Sequence, residues 1–231
     1  DLNMAMPHIL GIVVPLIGTI SVLPGTMGAY TDGHTIFLPE SINFFKDPLD
    51  PLIDNRNLTA YVGFSLHESG HILAGSFVFN MQHYIEKLEK PELFSIIYNF
   101  FEDYRIEEFM VRIGAHFQAK EIFSTINQFL NIENLTVING MGAFLIAHIT
   151  SEANKTNELA RSLSEYNAKL NTLVNAPLHT GRFKNMKDLI DYGIARLKNI
   201  EIANPLAAYP LAREFYEILK LWPEAELIEL L

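Results

Sequence analysis

The chain has 231 residues, 49% of them apolar and 19% charged, which is enough for one sizeable core or two small ones and too apolar for a disordered segment. A formal net charge of -10 excludes nucleic acid and anionic membrane as natural partners. There is no cysteine, so disulfides and thiolate metal sites are excluded; the composition fits a cytoplasmic protein, and any metal must be held by His, Asp or Glu.

Ile9 to Leu23 is the one apolar run that raises a membrane span. It falls short of the roughly 20 residues a span needs and is interrupted by Gly11, Pro15 and Gly18. It also lacks the basic flank of a signal peptide, since the first Lys or Arg is Lys46. The run reads as core, starting as a short helix and passing into a strand at Thr19 to Leu23 that stops at Pro24-Gly25. Thr31-Asp32-Gly33-His34 is a turn, and Thr35 to Leu38 is a strand ended by Pro39. The two strands pair as a hairpin or share one small sheet. Either this unit is purely structural, or Thr35, Ile36 and Phe37 form an edge strand that takes an extended peptide by strand addition.

After the loop Asp47 to Pro51, a helix is expected from Asn57 to Phe79, capped by Asn57 or by Thr59. Gly63, Gly70 and Gly75 each cost about 1 kcal/mol inside a helix relative to Ala. Close approach of neighbouring backbone is the expected return. This helix carries His67-Glu68-Ser69-Gly70-His71, an H-E-x-x-H sequence. Residues four apart lie on one helix face, so both imidazoles can reach one Zn2+ ion. Glu68 beside them is placed to accept a proton from metal-activated water as general base. The plain alternative is a helix with two core or surface histidines.

The longer H-E-x-x-H-x-x-G-x-x-H pattern fails, because Ala74 and Phe77 occupy the Gly and His positions. A third ligand is then an acid on the next helix, Pro91 to about Ile113, with Pro91 at the first helical position. Leu93, Ile96, Ile97, Phe100 and Tyr104 form its apolar stripe. Asp103 falls about 100° from the stripe's centre, Glu107 about 60° and Glu102 about 160°. Asp103 is therefore the favoured ligand, with Glu102 the alternative. Glu107 serves as acceptor for a ligand imidazole N–H, and Asn99 helps to orient the site. Arg105 pairs with local carboxylates. Further helices are expected at about 116–130, 134–150, 154–174, 185–199 and 207–221, with starts at Asn154 to Glu158 and at Asn185. His148, in the apolar helix Gly142 to His148, is either an oxyanion-stabilising catalytic group or a core histidine.

Three motifs occur in order: Thr31 to Pro39 with its T-D-G…I-x-L-P pattern, the H-E-x-x-H helix, and Asn99 to Glu107 reading N-x-x-E-D-x-R-I-E. Together, over about residues 26 to 110, they resemble the N-terminal region of NorD/CobT-type proteins, the nitric oxide reductase activation protein and cobaltochelatase subunit family. The resemblance implies a zincin-like fold and a possible MoxR-type AAA+ ATPase partner. Members of that family carry a von Willebrand factor A domain; no Asp-x-Ser-x-Ser sequence of that domain occurs in these 231 residues.

These readings combine into an α+β fold, predominantly helical, zincin-like, with a small N-terminal sheet. Residues 1–175 are expected to form the metal-binding part and 176–231 a helical C-terminal part packed on it as one continuous domain, with the break in the loop Asn175 to Lys184. The expected function is a zinc-dependent metallopeptidase or metallopeptidase-like domain acting on a peptide or protein substrate, with no membrane span. A non-catalytic zinc-binding module in metalloenzyme maturation, working with an AAA+ ATPase, is the alternative.

Overall fold

The computed structural model describes residues 1–26, 28–42, 53–116, 118–127 and 182–221. Among them the chain is α+β and predominantly helical, with one small sheet. It divides into two compact units, Asp1–Val78 with Ile106–Phe129, and Phe79–Arg105 with Leu130–Leu231. The division passes through one unbroken helix, α4 (Pro91–Arg112).

In the first unit, α1 (Leu2–Ile17) leads into β1 (Ser21–Gly25), β2 (Tyr30–Thr31) and β3 (Thr35–Pro39). The apolar run 9–23 is thus part helix and part strand, and Ile9 and Val13 are fully buried. No helix of the described residues is long and apolar enough to cross a membrane. β1 and β3 are not a hairpin: they run parallel, with Ser21 opposite Thr35 and Gly25 opposite Pro39. β2 pairs antiparallel on the other side, giving the order β1-β3-β2. The strand expected at an edge is therefore the central one. Tyr30 and Thr31 already pair with Phe37 and Ile36, so strand addition at those positions is closed. β3 ends at Pro39 as expected, whereas β1 runs on through Pro24 to Gly25. Proline is tolerated at Pro24 because β1 is an edge strand.

The centre of this unit is α2 (Ile53–Leu73), against which α1, β3 and α5 (Ala119–Asn127) pack. It begins before Asn57, which lies inside the helix; Thr59 is inside too, its hydroxyl donating to the Asn55 carbonyl one turn back. A side-chain bond of that kind is an alternative to capping. Two glycines allow close packing. A Cβ at Gly63 would stand 2.6 Å from Ile126 of α5, and one at Gly70 2.9 Å from Ile106 of α4. Gly75 does something else. Its φ of +75° ends the helix in the left-handed region, so α2 does not run to Phe79. A short 3-10 turn, Ser76–Val78, follows. The Tyr61 hydroxyl donates to the Pro39 carbonyl and ties β3 to α2.

In the second unit, the N-terminal part of α4 packs with α6 (Met186–Lys198) and α7 (Ala208–Leu219) through Phe94, Ile97, Phe101, Leu189, Phe215 and Tyr216. The short helix α3 (Gln82–Ile85) precedes them. Phe101 meets Phe215 edge to face at 5.2 Å, and Phe94 meets Tyr216 at 5.6 Å. Pro91 takes the first position of α4, and Asn185 caps α6 by accepting from the Asp188 N–H at 3.0 Å. α4 ends at Gly114, φ +66°, where the Ala115 N–H reaches the Met110 carbonyl and the Gly114 N–H that of Val111, a Schellman closure. The helices expected at 134–150 and 154–174, their start at Asn154 to Glu158 and residues 175–181 of the expected loop Asn175 to Lys184 lie outside the described residues.

Candidate metal centre

His67 and His71 stand one turn apart on α2, their rings 5.0 Å between centres and edge to face at 77°. Each has Nδ1 beside another side chain. The Glu107 carboxylate lies 3.1 Å from Nδ1 of His67, and the Ser76 hydroxyl 3.1 Å from Nδ1 of His71. A carboxylate can only accept, so His67 carries its proton on Nδ1 in that bond. Nε2 is then the nitrogen that would take a metal, the carboxylate–histidine arrangement common behind metal ligands. The same tautomer suits His71, with the serine oxygen accepting.

Asp103 completes a set of possible ligands: one ligand atom from each of His67, His71 and Asp103 lies within 4.8 Å of the others. All three are half-buried, which leaves the group open to solute. Two nitrogens and one carboxylate oxygen suit zinc, whose catalytic sites take three protein ligands of these types. Glu68, on the same turn of α2 as the histidines, is 6% exposed.

Glu102 is placed quite differently from its neighbour. It was expected about 160° from the core stripe, yet it is 1% exposed. The reason is that α4 is covered on more than one side, so Phe94, Phe101, Arg105, Ile106 and Met110 are all buried and the apolar stripe does not mark a single inner face. Glu102 forms a bidentate pair with Arg105, Nε to Oε2 at 2.8 Å and Nη2 to Oε1 at 2.5 Å. Arg105, fully buried, also donates to the Ile202 carbonyl at 2.8 Å. Burial, and after it the Glu102 charge, push the Tyr98 phenol well above its ordinary range.

Asn99 is exposed on α4, one turn before Asp103. Thr35, Ile36 and Phe37 sit in the middle strand, with Ile36 fully buried, Phe37 stacked on Tyr30 at 4.5 Å, and the Thr35 carbonyl accepting from the Thr31 hydroxyl. His148 lies outside the described residues. Ser76 was absent from the sequence reading. Taking Gly75 as a left-handed helix terminus, rather than as an interior glycine, would have turned the chain back and brought Ser76 toward His71. Compared with protein-family models, with curated proteins and with solved structures, the chain matches none.

Proposed function

We propose that this protein is a zinc-dependent metallopeptidase, or a metallopeptidase-like domain, of zincin-like build, acting on peptide or protein substrates. The observation that carries the reading is the H-E-x-x-H pair with each Nδ1 held by a second side chain, Glu107 behind His67 and Ser76 behind His71. Asp103 supports the reading as the third donor. The order of the T-D-G, H-E-x-x-H and E-D-x-R-I-E motifs adds the likeness to NorD/CobT-type proteins, and with it a MoxR-type ATPase as partner.

His67, His71 and Asp103 would hold the ion. Bound there, zinc supplies Lewis-acid polarisation of a carbonyl and a more acidic water. Glu107 fixes the tautomer of His67, and Glu107 and Ser76 together keep the two rings oriented. Glu68 takes the proton of the attacking water and returns it to the leaving amine. Its low exposure suits this role, because a base kept from bulk water holds its proton for the second transfer.

The test is metal content and hydrolysis together. Protein purified without added metal is expected to hold about one zinc per chain, lost in His67→Ala and in His71→Ala. Glu68→Gln should keep the zinc and lose cleavage of denatured protein substrates. Wild-type protein with neither bound zinc nor micromolar affinity for it overturns the reading. Zinc without any hydrolysis moves the assignment to a non-catalytic module in metalloenzyme maturation.

A further inference from the structure

The T-D-G turn has no part in the chemistry above, yet it is tightly built. The Asp32 carboxylate accepts from the His34 and Thr35 N–H groups at 2.8 and 2.7 Å. The Thr31 hydroxyl donates to the Thr35 carbonyl at 2.8 Å and accepts from the Gly33 N–H at 3.1 Å. Gly33 has φ +89°, open to glycine and strained for other residues.

What this turn touches is the ring of Phe77. A Cβ at Gly33 would stand 3.1 Å from Cγ and Cδ2 of that ring, so the bare glycine lets the ring lie against the turn. Phe77 belongs to the 3-10 turn Ser76–Val78, none of whose residues is buried; Phe77 itself is 49% exposed and Val78 68%. Core burial therefore gives this turn little hold. Its neighbour Ser76 is nevertheless the group beside Nδ1 of His71.

We infer that the Thr31–Thr35 turn is a positioning device for His71: Gly33 braces Phe77, Phe77 fixes the 3-10 turn, and Ser76 in that turn holds the His71 ring in place through its contact with Nδ1. The consequence for metal binding, a better placed ligand, rests on the zinc reading; the position of the ring does not.

The experiment uses the full chain and two readouts. One is 15N-resolved NMR of the His71 ring without metal. The other is Zn2+ affinity by calorimetry. Ser76→Ala and Phe77→Ala are each expected to change the His71 ring 15N signals and to weaken Zn2+ about tenfold, the low end for loss of an outer partner. The double variant should bind no more weakly than Ser76→Ala alone, since both act through one contact. Phe77→Tyr should restore both readouts, and Val78→Ala should leave them at wild-type values. A wild-type ring signal and affinity in Phe77→Ala overturns the inference, as does an additive loss in the double variant. If the wild type takes up no Zn2+ at all, the zinc reading falls, and the NMR signal still decides whether the turn sets His71.

Discussion

Glu102 and Glu107 stand five residues apart on α4, and both are buried, at 1% and 7% exposure. Glu102 faces a guanidinium that is itself fully buried and that also takes the Ile202 carbonyl. Glu107 faces an imidazole, and a second imidazole and a second carboxylate gather beside it. A carboxylate closed on Arg105 has its charge answered and serves the packing of its own unit. A carboxylate on Nδ1 of His67 answers only one side of that ring. Residue type and burial are alike in the two stretches; the chemistry of the partner decides which one can act on a ligand.

The contrast can be broken from the structural side first, where the largest effect is expected. Arg105→Ala strands the Glu102 charge inside the protein and should cost about 3–5 kcal/mol of stability in urea unfolding. Replacing both partners with apolar residues, Arg105→Met with Glu102→Leu, should cost much less, because no charge is left buried. Equal losses in the two cases would mean that the pair is not the closed unit described here.

Neighbouring carboxylates give the next test. Asp103→Asn should weaken Zn2+ on the order of a hundredfold, at or beyond the upper end of what outer partners cause. Glu102→Gln, measured on folded protein, should change the affinity little. The reverse order would make Glu102 the ligand and Asp103 the bystander. Glu107→Gln keeps a hydrogen-bond acceptor beside His67 but removes its charge. Calorimetry should show Zn2+ affinity lower by about tenfold, with the unfolding midpoint nearly unchanged.

The smallest effect sharpens the comparison with an exposed carboxylate held by backbone N–H groups. The N–H groups of His34 and then Thr35 hold Asp32 below the usual aspartate value. Its folded-state pKa is depressed, so its contribution is fully present above the unfolded value, near pH 4, and is lost as pH falls through the folded value. Asp32→Asn should therefore lower stability slightly at neutral pH and flatten the decline below about pH 4. A parallel acid limb in the two proteins would remove this role.

Local chemistry in the chain reached a good part of this arrangement. Pro91 opening α4 and Asn185 capping α6 are fixed by a missing N–H and by a short side chain that accepts from the backbone, so neighbours in sequence suffice to state them. The one-turn spacing of His67 and His71 follows from helix geometry alone. Glu107 as acceptor for a histidine N–H was reached from its place on α4 one turn past Asp103. The helix terminus at Gly75 was also present in the chain, but it was read as a packing glycine because nothing in an apolar run separates the two uses of glycine.

Other features were decided only when the chain closed on itself. Strand order is one: β2, two residues long, occupies the side of β3 that would otherwise have been an edge, and no periodicity announces so short a pairing. The orientation of α4 is another. An amphipathic stripe marks the inner face only when one face is covered, and here both Phe101 and Met110 are buried on different sides of the helix. Whether Glu102 meets a guanidinium or a metal depends on the Ile202 carbonyl, 97 residues from Arg105, which helps to hold that guanidinium in place. The sequence by itself determined which residues could take part in a metal site, because ligand chemistry and helix spacing are local. Only the tertiary structure decided which of them meet, because distance and burial are set by packing between segments far apart in the chain.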